Sequence, residues 1–325
     1  MKKTIIKLLT FLILITSGLV LAACVKPKEN NKMKIVTTIF SEYDWVMDVL
    51  GDQKDNAEVT LLLDNGLDLH SYQPSVEDIA KIATCDLFIY VGGESDEWVE
   101  DTLDNSINKD MITINLLETL GDKVKEEEII EGMQENEEES EEGEEEIEYD
   151  EHVWLSLKNA KIFVDRISEA ISKIDKKNAS IYTDNAKKYN EKITLLDEQY
   201  KEMLTSSSIK TLLFGDRFPF RYLVDDYNIS YYAAFVGCSA ETEASFETIV
   251  FLSRKVDELG LKAIMIIESS DGKIANTIKN NTTNKDQKIL TMDSLQSATR
   301  KEYDEGRTYL KVMEENLNVL KEALK

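Results

Sequence analysis

The chain contains two histidines, His70 and His152, and both stand where a metal ligand would be useful. His70 lies in DNGLDLHSYQPS, a polar stretch that follows a β-branched apolar run. His152 lies in YDEHVWLSLKNA, between a block of acids and a helical pattern. Imidazole combined with carboxylate is a donor set for Zn²⁺ or Mn²⁺. Carboxylates at the ends of expected strands are Asp216, Glu268 and Asp293. In open α/β sheets ligands gather beyond the carboxyl ends of the strands, so these five residues form one candidate set. Asp216 and Glu268 suit a helix cap or a hydrogen bond between lobes equally well. No HExxH and no nucleophile elbow occur, and VGGES at 91–95 has neither the GxGxxG nor the Walker spacing. The residue types point to capture of an ion rather than to an enzyme. Of the three cysteines, Cys85 and Cys238 read as unpaired residues of separate lobes, and Cys24 belongs to the leader.

The elements that position these residues follow from periodicity. Apolar, β-branched runs at 34–39, 58–63, 86–92 and 111–115 read as strands, with helices at 41–50, at 74–83 and from about 95. A second set of strands is expected at 210–215, 229–235, 263–268 and 288–293, and a last helix at 301–324. Arg217 and Arg221 fall four apart on an expected helix after Gly215, as partners for nearby carboxylates. Between the two sets, Tyr182, Ala186, Tyr189, Ile193, Leu196, Tyr200 and Met203 keep a helical stripe through 178–204. The fold class is α/β: two similar α/β lobes with mainly parallel sheets, joined by one long rigid helix. The divisions are an N-terminal lobe at 33–177, a linking helix at 178–205 and a C-terminal lobe at 206–325.

Composition narrows the function further. Lys and Arg number 38 against 63 Asp and Glu, a net charge of −25, and removing residues 1–23 with their three Lys leaves −28. So acidic a surface repels nucleic acid and attracts cations. Sixteen of the 26 positions in 126–151 are acidic and none is basic, which predicts a disordered loop. Residues 1–23 carry Lys2, Lys3 and Lys7, then an apolar run, then Leu21-Ala22-Ala23 before Cys24. That is the pattern of a signal peptide ending at a lipidated cysteine, with 24–32 as a polar tether. It predicts a chain lipid-anchored to the cell membrane on its extracytoplasmic face.

Several stretches together resemble one family, the metal-binding lipoproteins that serve as solute-binding proteins of bacterial zinc and manganese ABC importers. These are LDLHSYQPSVEDI, DEHVWLSLKNA (close to the family's D-P-H-x-W-L-x-P), LLFGDRFPFRYLVDDYNI, SAETEASFETI, and TMDSLQS followed by YLKVMEENLNVLKEAL. The resemblance runs from about Met33 to the C-terminus, with the acidic block as a variable insertion. It implies His70, His152 and Asp293 as ligands. It also marks a departure, because Gly215 stands where the family has a third ligand and leaves Asp216 or Glu268 to substitute. The implied function is capture of Zn²⁺, or alternatively Mn²⁺, as cargo for an ABC permease with its ATPase. The competing reading is a surface adhesin or structural lipoprotein whose histidines are incidental.

Overall fold

The computed structural model describes residues 32–134, 148–239 and 243–325; the expected leader, Cys24 and most of the tether lie outside them. From Met33 onward the chain forms one compact unit. Its first sheet contains β1 (Met33–Thr37), β2 (Ala57–Leu61), β3 (Leu87–Tyr90) and β4 (Ile112–Asn115), in the order β2-β1-β3-β4 and all parallel. The second contains β5 (Thr211–Phe218), β6 (Ser230–Val236), β7 (Ala263–Ile267) and β8 (Lys288–Met292), in the order β6-β5-β7-β8, again all parallel. The two orders are the same when read from the second strand of each set. This is the pair of similar α/β lobes that the alternation of apolar runs implies.

The helices of the first lobe are α1 (Phe40–Leu50), α2 (Val76–Ala83), α3 (Trp98–Asp104), α4 (Leu116–Leu120) and α5 (Leu157–Ile174). Their starts are chemically marked. Ser75 accepts from the Asp78 amide while the Asp78 carboxylate accepts from the Ser75 amide, which satisfies two otherwise orphaned donors of α2. Ser156 caps α5 by accepting from Asn159. That cap places the turn carrying His152 directly ahead of a helix whose Leu157, Phe163, Val164 and Ile167 are buried.

α6 (Ala179–Ser206) is 28 residues long, about 42 Å at 1.5 Å per residue. Every residue of the stripe foreseen from its spacing is buried. It touches both lobes with polar groups as well as apolar ones. Asn185 donates to the Val49 carbonyl at 3.0 Å, and the Tyr189 hydroxyl donates to Asp44 at 2.9 Å. Toward its other end the Tyr200 hydroxyl donates to the Met313 carbonyl at 2.6 Å, and Asp197 accepts from Tyr227 at 2.9 Å. One continuous core runs from Ile35 and Trp45 through α6 to Phe214 and Met313. A smaller one, around Leu252, Ile264 and Ile278, lies within the second lobe.

The second lobe adds α7 (Arg221–Tyr227), α8 (Phe246–Leu259), α9 (Lys273–Asn281), α10 (Arg300–Asp304) and α11 (Tyr309–Ala323). Three expectations are corrected here. The last helix is two, because Gly306 takes φ of 95° and turns the chain before Thr308 caps α11. Arg217 lies in β5 rather than on a helix, since β5 continues to Phe218. The described ends of the acidic block are ordered: Glu126 and Tyr149 form an antiparallel bridge, and the Glu127 and Asp150 amides donate to the Glu148 and Lys125 carbonyls at 2.9 Å each. Backbone pairing holds these ends where composition alone points to disorder. Residues 135–147 lie outside the described residues.

Candidate metal centre

His70 is positioned by the loop leaving β2. Asp68 accepts from the His70 amide at 3.1 Å and starts the single helical turn Leu69–Ser71. His152 follows the bridged ends of the acidic block. Asp150 Oδ1 accepts from the His152 amide at 2.9 Å, and the Asp150 carbonyl accepts from the Tyr222 hydroxyl at 2.9 Å. Both side chains are enclosed: His152 is fully buried and the His70 side chain is 13% exposed.

The rings are held by their Nδ1 atoms and meet at their Nε2 atoms. His70 Nδ1 lies 2.8 Å from Ser95 Oγ and 3.5 Å from the Glu151 carboxylate, and His152 Nδ1 lies 3.1 Å from Asp150 Oδ1. The two Nε2 atoms are 3.2 Å apart. Two nitrogens about 2.05 Å from a tetrahedral zinc stand roughly 3.3 Å from each other. An outer partner on each Nδ1 orients the ring and aims the other nitrogen, as in ligating histidines generally.

Electrostatics give the pair a division of labour. Burial, and then the neighbouring His152 ring, push His70 down to about 4, against the opposing pull of Asp68, so His70 is neutral near pH 7. Burial also disfavours charge on His152, but the Asp150 carboxylate, through its charge and hydrogen bond, outweighs that and raises it. Of the two rings, His152 is therefore the one whose surroundings favour protonation. Gln296, with its amide oriented to satisfy both ends, accepts from His152 Nε2 at 2.6 Å and donates to Asp68 at 3.0 Å. Metal binding through the two Nε2 atoms requires both to be free of protons, so it is coupled to pH.

Beside His70 is a cavity of about 240 Å³ whose walls include Glu94, Glu127, Glu148, Glu151 and Cys238. Burial raises the carboxyls of Glu127 and Glu151. A larger groove, about 1020 Å³, runs between α5 and α6 but has no His or Cys in its wall. The lobes are latched at the site. Arg217 donates to Asp68 at 2.8 Å, Trp154 Nε1 donates to the Ser294 carbonyl at 2.9 Å, and the Arg300 amide donates to Asp64 at 2.6 Å.

Of the five residues selected from sequence, the structure brings His70 and His152 together. Asp293 instead pairs with Arg307 and accepts from the Leu295 amide. Glu268 accepts from the Ser294 amide and hydroxyl at 2.8 and 2.9 Å, and Asp216 accepts from the Arg217 amide at 2.8 Å. Among the described residues, the group of His, Cys and acidic side chains whose ligand atoms converge within 4.8 Å is His70, His152 and Cys238. Cys238, read from sequence only as an unpaired residue, follows β6 at its carboxyl end, the same placement that selected the carboxylates. The orienting partners Ser95, Asp150 and Glu151 carried no signal beyond adjacency to His152 for the last two.

The sequence profile of the family described as the zinc-uptake complex component A, periplasmic (ZnuA), matches residues 35–323. The zinc-binding lipoprotein AdcA of Streptococcus pneumoniae is 31% identical over 322 residues, covering 98% of this chain, which spans 61% of AdcA. The high-affinity zinc uptake system protein ZnuA of Bacillus subtilis is 28% identical over 298 residues, 91% of this chain and 89% of that protein. Among solved structures, the Zn(II)-bound ZnuA-like domain of S. pneumoniae AdcA matches with a TM-score of 0.69 at 29% identity, covering 90% of this chain and 99% of that domain.

Proposed function

Because this chain belongs to the family of the periplasmic zinc-uptake component ZnuA, we propose that it is an extracytoplasmic receptor that captures Zn²⁺ between its lobes. In this reading Zn²⁺ is cargo, passed to an ABC permease with its ATPase, and the lipidated Cys24 holds the receptor at the membrane. The observation that carries it is the facing pair of Nε2 atoms, 3.2 Å apart, each on a ring whose Nδ1 is already engaged. Two rings arranged this way, once both Nε2 atoms are unprotonated, present lone pairs to a single point. The enclosing carboxylates of the 240 Å³ cavity supply negative charge to offset a divalent ion. A buried site on latched lobes suits retention of an ion, whereas hydrolysis needs an open coordination position and a substrate cleft.

The test is a competitive titration of the purified protein with Zn²⁺ and Mn²⁺. One Zn²⁺ per chain is expected, bound more tightly than Mn²⁺. His70→Ala and His152→Ala each remove a direct ligand and should weaken Zn²⁺ by more than the roughly 10–100-fold that loss of an orienting partner costs. Unchanged stoichiometry and affinity in both variants would overturn the proposal. Tighter Mn²⁺ binding would assign the cargo to manganese instead. An adhesin with incidental histidines would bind neither ion at a defined stoichiometry.

A further inference from the structure

We propose that Cys238 is the third metal ligand, the side chain by which the C-terminal lobe bonds the ion directly. This rests on the receptor reading above and gives its site a donor set of two imidazoles and one thiolate. The first observation is convergence: Cys238 Sγ and a nitrogen of each histidine lie within 4.8 Å of one another. Around a tetrahedral zinc, nitrogen and sulfur stand about 3.6 Å apart, so a side-chain adjustment of roughly 1 Å completes the geometry.

The second observation is that the turn carrying Cys238 is held against the histidines from two sides. Its amide donates to Glu127 Oε1 at 3.1 Å, which ties it to the bridged segment leading to His152. Gly237 packs on the His152 ring so closely that a Cβ there would lie 2.8 Å from Cε1. On the wall of the same cavity, Glu151 Oε2 is buried without a hydrogen bond, and its nearest charge partner is His70 Nδ1 at 3.5 Å.

The third observation is that Asp293 and Glu268 are engaged elsewhere, by Arg307 and by Ser294, and that Asp216 is not among the side chains that converge with the two histidines. Gly215 offers no side chain, and its Cα faces α9. On binding, the thiol gives its proton to solvent and the sulfur donates a lone pair to the metal; no redox change is involved. Thiolate is a softer donor than carboxylate and selects zinc over manganese.

Co²⁺ is the probe, titrated into the full chain carrying Cys24→Ser and purified in detergent, so that only Cys85 and Cys238 can supply thiolate. A thiolate-to-cobalt charge-transfer band in the near ultraviolet is expected. It should vanish in Cys238→Ser and persist in Cys85→Ala. Cys238→Ser should also lose at least the roughly 10–100-fold in Zn²⁺ affinity that an orienting partner is worth. The band in the parent chain and its persistence in Cys85→Ala decide the matter even if Cys238→Ser fails to fold. Co²⁺ bound without the band, with Zn²⁺ affinity unchanged in Cys238→Ser, would overturn the thiolate ligand and leave the receptor reading standing. A parent chain that binds neither Co²⁺ nor Zn²⁺ would overturn the receptor reading itself.

Discussion

Restoring a ligand at position 215 should weaken the protein rather than improve its site. Gly215 lies in β5 where the pairing with β6 shifts register, between Phe214 and Arg217, and α9 rests on it. A Cβ built there would be 2.6 Å from the Cα of Ala275 and 2.8 Å from its nitrogen. Carbon atoms in ordinary contact stand about 3.5–4.0 Å apart, so even Gly215→Ala must move α9 or the strand by roughly 1 Å. The obstacle is backbone, which no rotamer change relieves. Overpacking of this kind costs about 1–3 kcal/mol. At roughly 2–4 °C per kcal/mol for a domain of this class, Gly215→Ala should lower the apo melting temperature by about 2–12 °C. Gly215→His should lower it further. Thermal unfolding of the metal-free proteins, with Zn²⁺ titration of each, measures both sides. A Gly215→His variant as stable as the parent and tighter for Zn²⁺ would refute the argument, because it would mean that the strand can turn that position toward His70 and His152.

Three further outcomes can be measured. Asp150→Asn keeps an oxygen for the His152 amide and ring but removes the charge, and should lower Zn²⁺ affinity about tenfold with little change in apo stability, by titration and melting. Burial, with Asp96 nearby, pushes Glu42 up to about 8 against 4.5 for an ordinary carboxyl. The folded state thus holds a proton the unfolded chain releases, so stability is full below pH 4.5 and falls as pH rises toward 8, at up to about 1.4 kcal/mol per pH unit from this group. Urea unfolding of the apo protein at pH 5.5 and 7.5 should show that decline, and Glu42→Gln should shrink it. Replacing the nine Glu of residues 135–147 with Gln should slow Zn²⁺ association at low salt, with the gap closing as ionic strength rises and the screening length falls to about 8 Å at 0.15 M. Stopped-flow rates that match the parent at every salt concentration would make that segment a solubilising insertion only.

Most of the architecture was written in local patterns. The eight described strands fall within two or three residues of the apolar runs that foretold them, because a parallel strand covered on both faces is predominantly apolar. The α6 stripe was equally legible, since its seven positions face one core. What sequence did not reveal are features made by distant backbone. The break at Gly306 needs a left-handed turn that a helical hydrophobic pattern does not register. The ordered ends of the acidic block depend on a bridge between Glu126 and Tyr149. The site shows the same division. His70 and His152 stood out by type and setting, whereas the commitment of Asp293 to Arg307 and the approach of Cys238 depend on side chains packed from separate elements. Gly215 was recognisable as a departure from its family, but its cause, the seating of α9, is visible only in three dimensions.

The brace formed by α6 bears on how a captured ion would leave. A helix hydrogen-bonded to Val49 and Asp44 near one end and to Met313 and Tyr227 near the other makes a wide swing of the lobes expensive, since every such contact would have to break at once. Residence time then becomes a property of small parts. The Asp68–Arg217 pair and the turn at Gly237 and Cys238 are tied down by a few hydrogen bonds each, and either can yield without disturbing the core. Loss of the Arg217 pair or an outward shift of that turn would be enough to lower the exit barrier. Unloading would then be a local act, with its rate set by a few side chains and a short stretch of backbone.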